Sequence, residues 1–344
     1  MSENTVTQQS DRNSLNLIKL IAAIQVFLQH APVHMGVADL TDCFKPFYGM
    51  FNGVPIFFII SGFLIWKSIE RTDKISTFFK KRLFRLYPEL WMGVFLSFVV
   101  IIILYAKSIE WIPYVLFQIT QATFLQFWTP ECLRGYGCGT PNGALWTICV
   151  MVQAYLVMWF LHKVLHKQKF VFWIIVNIVC IALGFLPSVL NGLLPEIVLK
   201  LLRNTFIPYM WLFVLGMTLS EYFKEIMPVI KKCWFVFFGL AAVIALTGWD
   251  LRSNYGILLS IFMGIAIVGF AYAVPYFQMK HDISYGLYVY HMIVVNAMIQ
   301  LGFSGEIWHV LVAFLISIAM ATISYFTIGR LGKNKRQELA AQSQ

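Results

Sequence analysis

The chain has 344 residues, 59% of them hydrophobic, 17% aromatic and 12% charged, with a mean hydropathy of +0.73. A water-soluble domain of that composition would expose far too much apolar surface, so the composition predicts an all-α polytopic membrane protein. The net charge of +10 does not indicate nucleic acid, because the basic residues sit between apolar runs, where membrane topology accounts for them.

Residues 1–14 are polar but not basic and read as an N-terminal tail, not a cleavable leader. Apolar runs then predict ten helices, at about 15–35, 50–68, 87–106, 144–162, 169–188, 205–222, 233–249, 256–274, 283–303 and 308–328. Each is long enough to cross about 30 Å of hydrocarbon. They form one membrane domain, 15–328, followed by a C-terminal tail, 329–344. A further run, Ile112–Trp128, would invert every later span if it crossed. With both termini cytoplasmic, nineteen Lys and Arg fall inside and six outside. The positive-inside rule therefore favours ten spans and makes 112–128 a re-entrant or surface helix. In the segment ECLRGYGC, Cys132 and Cys138 fall outside, where an oxidising compartment allows a bridge; separate thiols are the alternative.

Five constellations carry chemistry. In the first helix, Lys19 and His30 are eleven residues apart, almost three whole turns, so they face one way about 16 Å apart. Ionisable groups inside a membrane persist mainly where they face a cavity, a partner or a pathway. His30 is a candidate general base for acyl transfer to an alcohol, since a near-neutral pKa lets imidazole take and return a proton. The plainer alternative is a helix-end histidine with a snorkelling lysine. His34 lies one turn further, but no acid or cysteine accompanies the pair, so no metal is expected. In GVPIFFIISGFLIW, Ser61 and Gly62 allow close helix approach, and Ser61 is a candidate site residue. In FFKKRLFRLYPELW, Arg82 and Arg85 share a helical face and suit phosphate capture, or a lipid headgroup contact. In TPNGALWT, Asn142 belongs to a turn, and Trp146 is either a belt residue or a sugar-stacking platform. In SYGLYVYHM, Ser284, Tyr288 and His291 lie on one helix face, as structural glue or as site lining. His162 and His166 sit in a basic loop and are expected to be solvated.

Taken in order, these pieces resemble the acyltransferase-3 family of membrane acyltransferases, which includes bacterial O-antigen O-acetyltransferases. The family pattern maps onto Leu15, Asn16, Ile18, Lys19 and His30; then Gly53 to Phe63; then Arg82, Arg85, Tyr87 and Pro88. It continues through Asn142–Thr147, a Phe-x-x-Gly turn at Phe213 and Gly216, and Ser284–His291. The chain departs from it in three places. Asn16 replaces Asp, Lys19 replaces Arg, and Met151 stands where a glutamate is usual, with Glu131, Asp39 and Asp42 as candidate substitutes.

The resemblance implies a multi-pass protein of the bacterial inner membrane that transfers an acyl group, foremost acetyl, from cytoplasmic acetyl-CoA. The acceptor implied is a sugar hydroxyl of a surface polysaccharide such as the O-antigen of lipopolysaccharide, or its lipid-linked precursor. It implies His30 as base and Arg82, Arg85 and Lys19 as donor contacts. Ser61, Asn142, Trp146, Tyr288 and His291 then shape the acceptor pocket. The partners are the bilayer, acyl-CoA and a glycan, with no metal and no nucleic acid. A transporter or flippase of a lipid-linked glycan would use the same intramembrane charges without bond chemistry, and a non-catalytic scaffold is a third reading.

Overall fold

The computed structural model describes residues 12–277 and 279–341; positions 1–11 of the expected N-terminal tail and residues 342–344 lie outside the described residues. The helices of eight or more residues, in chain order, are α1 Leu15–His34, α2 Ala38–Met50, α3 Gly53–Glu70, α4 Ile75–Tyr105, α5 Trp111–Gln121, α6 Trp146–Leu165 and α7 Phe170–Gly184. They continue with α8 Glu196–Arg203, α9 Met210–Glu221, α10 Phe223–Thr247, α11 Ile257–Ala273, α12 Ser284–Gln300, α13 Ile307–Ser324 and α14 Arg330–Ala341. Among the described residues, extended structure is limited to two isolated bridges. The protein is all-α and polytopic.

A helix stands at each of the ten expected positions. Seven helical segments are long and apolar enough to cross a membrane, and eight if the bent pair Glu196–Arg203 and Ile207–Glu221, angled by 50°, forms one span. Length and composition thus support seven or eight of the ten. The run at 112–128 becomes α5, whose 11 residues reach only about 16 Å. It lies along α4, with the Tyr114 hydroxyl donating to the Phe98 carbonyl at 2.7 Å.

Burial sorts the helices into a core and a rim. Phe235, Val243 and Leu246 of α10 and Ile175, Ile178 and Val179 of α7 are exposed, which water would penalise and lipid accommodates. The core is built on α3, α9 and α12. Glycines let α3 and α9 touch backbone to backbone. A Cβ on Gly62 would lie 2.1 Å from the Phe213 carbonyl oxygen, and one on Gly216 would lie 2.0 Å from that of Ile59. Phe213 and Gly216, expected in a turn, are therefore helical residues at a crossing.

Helix α12 is buried nearly all round, and its polar groups tie down the loop before α6. The Asn296 amide donates to the carbonyls of Thr140 (3.1 Å) and Pro141 (3.0 Å), and its oxygen accepts the Cys138 N–H at 2.8 Å. Gly137, at φ +54°, approaches so closely that a Cβ would meet that oxygen at 2.1 Å.

The C-terminal segment differs most from expectation. Instead of ending at the membrane, α13 passes through a π-helical turn, Tyr325–Gly329, into α14. Gly332 is buried against α4, where a Cβ would lie 2.5 Å from the Phe84 carbonyl oxygen. What reads in sequence as a basic tail is a packed helix.

Candidate active site

Asp282, in the loop entering α12, joins two of the expected cations. Its carboxylate accepts from the Lys19 ammonium of α1 and, at 3.0 Å, from Nη2 of Arg85 of α4. Its other oxygen accepts the backbone N–H of Ser284 at 3.3 Å and the Ser284 hydroxyl, at the helix end where a negative charge is favoured. Burial opposes ionisation of Asp282, but the charges of Lys19 and Arg85 overcome it and hold the carboxyl well below the usual aspartate range. Arg82 shares the face of Arg85 but has no carboxylate partner among the described residues. Its guanidinium lies 5.3 Å from the centre of the Phe78 ring and 5.9 Å from that of Tyr155. Its Nε is buried without a hydrogen-bond partner, a state that calls for an acceptor from outside the chain.

These groups stand at one end of a cavity of about 400 Å³. Lys19, Arg82 and Arg85 line it as expected; Ser61 and Tyr288 also line it, further along. Tyr288 closes the far wall, with its hydroxyl 2.7 Å from that of Thr147 and donating to the Ala144 carbonyl at 2.8 Å. Behind Tyr288 lies His291, their ring centres 6.1 Å apart, and His30 follows at 5.7 Å from His291. Nδ1 of His291 donates to the Tyr288 carbonyl at 2.8 Å, so its Nε2, buried and unpartnered, carries the lone pair when the ring is neutral. His30 also faces His34, with Nδ1 and Nε2 at 3.5 Å. Both histidines thus stand outside the cavity lining, one and two side chains beyond its wall.

At the opposite end, Asn142 and Trp146 line a second, smaller cavity of about 240 Å³, together with Trp128, Gln126, Arg134 and Asn204. Segment 106–145 joins the far end of α4 to the start of α6, which puts this hollow across the bundle from Arg82. The Asn142 side-chain amide donates to the Val289 carbonyl at 2.9 Å and so fixes the loop, while its carbonyl oxygen is buried without a partner. Trp146 packs against Phe58 at 6.3 Å and Tyr209 at 5.1 Å between ring centres. Its neighbour Thr147 lines the larger cavity. Two consecutive residues of α6 therefore face the two hollows.

Several groups escape sequence reasoning. Asp282 is a single acid in a loop, recognisable only once folding brings it to Lys19 and Arg85. Lys280, Lys333 and Arg336 also line the larger cavity, although the last two read as tail. The acids proposed to replace the missing glutamate lie elsewhere: Glu131, Asp39 and Asp42 line neither cavity, and Met151 itself lines the larger one. Cys132 and Cys138 are separate thiols, with Cys138 Sγ 3.6 Å from the Thr140 carbonyl. His162 and His166 are half-buried and line an open hollow at the ends of α3 and α6. His162 packs on Trp66, ring centres 4.5 Å apart, and His166 meets the Glu221 carboxylate at 3.1 Å. With Glu70 they bring three ligand atoms within 4.8 Å of one another, the one group among the described residues with the chemistry to hold a divalent cation. It stands at the C-terminal ends of α3 and α6 and lines this third, open hollow of about 810 Å³. That places it outside the lining of the 400 Å³ cavity, which is the larger of the two described above but not of the three.

Comparison with known proteins finds a family match over most of the chain. The family described as "Acyltransferase domain", acyltransferase-3, matches residues 12–328. The chain is 26% identical over 358 residues to "Nodulation protein 10" of Rhizobium leguminosarum bv. viciae, covering 96% of each chain. It is 24% identical over 311 residues to "O-acetyl transferase" of Shigella phage Sf6, covering 85% of this chain and 88% of that one. No solved structure matches.

Proposed function

The chain belongs to the acyltransferase-3 family of membrane acyltransferases, and from that premise we propose that it moves an acetyl group from acetyl-CoA to a sugar hydroxyl of a surface polysaccharide, such as O-antigen or its lipid-linked precursor. The observation that carries the donor half is the cationic end of the larger cavity, above all the buried, unpartnered Nε of Arg82 beside the paired Arg85 and Lys19. A nucleotide-bearing thioester supplies the phosphate acceptors these donors need. Its acyl arm runs along the aromatic cavity toward Tyr288. The name of the phage relative, an O-acetyl transferase, supports acetyl as the group moved.

The acceptor enters from the opposite end. His30 takes the proton of the sugar hydroxyl as its oxygen attacks the thioester carbonyl. The C–S bond then breaks, and the departing thiolate takes the proton from the imidazolium, so the enzyme returns to its starting state. Tyr288 and His291, between cavity and base, are the elements that must shift for the thioester to reach it. The charge asymmetry of the loops supports both termini facing the cytoplasm, the side that holds the donor, in a bacterial inner membrane.

The test is to reconstitute the full chain in lipid nanodiscs with labelled acetyl-CoA and host polysaccharide. Label entering the polysaccharide, and lost in the Arg82→Ala/Arg85→Ala variant, is the expected result. Wild-type protein that neither binds acetyl-CoA nor labels polysaccharide refutes the proposal.

A further inference from the structure

The larger cavity is lined by six basic side chains, Lys19, Arg82, Arg85, Lys280, Lys333 and Arg336, against one carboxylate among the described residues, that of Asp282. Two of the six come from α14, beyond residue 328, where the family match ends. Helix α14 is held there by contacts too close to be incidental. Gly332 sits where a Cβ would meet the Phe84 carbonyl oxygen at 2.5 Å and Pro88 Cγ at 3.3 Å. In the preceding π-helical turn, a Cβ on Gly329 would meet Glu89 Oε1 at 2.8 Å, and the Tyr325 hydroxyl donates to the Lys280 carbonyl at 3.4 Å. Such turns recur at functional sites.

Lys333 and Arg336 are three residues apart and share a helical face, the spacing that also pairs Arg82 with Arg85. Gly332 seats this side of α14 against α4, which leaves Arg336 half-buried and Lys333 exposed where both line the cavity. Lys335, on another face, pairs instead with Glu338 at 2.8 Å. Cations gathered around a partly apolar hollow repel one another, and an anion between them relieves that repulsion.

We infer that α14 completes the donor site, with Lys333 and Arg336 binding phosphates of the donor's nucleotide end across the cavity from Arg82 and Arg85. The inference rests on the reading of this cavity as the acyl-CoA site. It makes the C-terminal helix a selector for phosphate-bearing thioesters over bare ones. An anionic lipid headgroup offers the same phosphate chemistry and is distinguished by the test.

The experiment uses the full chain in nanodiscs of zwitterionic lipid, with CoA and phosphate-free pantetheine titrated calorimetrically. The K333Q/R336Q variant is expected to bind CoA about ten- to hundredfold more weakly, the loss of one or two charged hydrogen bonds, with pantetheine binding unchanged. The charge-preserving K333R/R336K variant is expected to recover most of the CoA affinity, which separates charge from folding. Equal weakening of both ligands, or wild-type CoA affinity in K333Q/R336Q, overturns the inference while leaving the donor assignment standing. Absence of CoA binding to the wild type removes the donor assignment itself. A variant with wild-type CoA affinity that has lost thermal stabilisation by added phosphatidylglycerol assigns the pair to lipid and also overturns it.

Discussion

The His291 ring stands 5.7 Å from the His30 ring, centre to centre, with its Nδ1 committed to the Tyr288 carbonyl. That bond fixes the tautomer of His291 and leaves its Nε2 as an acceptor in an apolar setting, next to the histidine assigned as base. Removing His30 is expected to lower acetyl transfer about 10²- to 10⁴-fold, the usual worth of a positioned general base, with CoA affinity unchanged because the phosphate contacts lie at the other end of the bundle. Replacing His291 by Phe keeps the ring and deletes the acceptor. The expected result is a lower kcat with unchanged CoA affinity, measured with labelled acetyl-CoA. Full transfer by His30→Ala would remove it from the mechanism.

Asp282 sets a pH dependence of defined sign. Its carboxyl is held below the ordinary 3.8 because Lys19 and Arg85 outweigh the opposing effect of burial. The native state therefore binds fewer protons than the unfolded one. The resulting stabilisation is complete above the ordinary value and disappears as pH falls through the lowered one. Asp282→Asn leaves two cations without their carboxylate, a change that typically costs about 3–5 kcal/mol for a buried pair. The expected melting-temperature gap between wild type and Asp282→Asn is constant from pH 8 to pH 5 and narrows only below about pH 4. A gap already closing between pH 7 and pH 5 contradicts this assignment.

The parts of the site legible in sequence are those that exceed what topology needs. Lys19 stands out because hydrocarbon tolerates ions only with a reason, and Arg82 and Arg85 because their spacing sets both on one helical face; the structure brings all three to one cavity. Asp282 carries no such contrast, since an acid in a polar loop is ordinary until its partners, 263 and 197 residues away in sequence, fold onto it. Lys333 and Arg336 were hidden for the opposite reason: basic residues after the last span are what topology already predicts. The glycine crossing was half legible. Gly62 advertised close packing, but its partner Gly216 could be found only from the fold.

That crossing gives a third prediction. Ala at Gly62 or at Gly216 must push α3 and α9 apart, since each new Cβ would fall about 2 Å from a carbonyl oxygen of the other helix. Each single change is expected to cost about 1–3 kcal/mol, as overpacking does. Because either one separates the same two backbones, the double variant is expected to lose less than the sum. Melting temperatures of the three variants in detergent check this, and strict additivity would mean that the two contacts are independent.

Trp146 stands at the boundary between the two hollows. It lines the smaller hollow while Thr147, next in sequence, lines the larger one, so a change at the indole is expected to be felt by the sugar and not by CoA. Stacking of an aromatic ring on its partner is worth about 0.5–1.5 kcal/mol beyond area burial, so Trp146→Ala should raise the acceptor KM about two- to tenfold. Because Trp146 also packs on Phe58 and Tyr209, Trp146→Phe serves as the control that retains a ring in the wall. The expected pattern is unchanged CoA affinity in both variants, with the acceptor KM raised more by Ala than by Phe. A tryptophan serving only as a membrane-belt anchor would leave the acceptor KM untouched, and that result would move the sugar site away from this hollow.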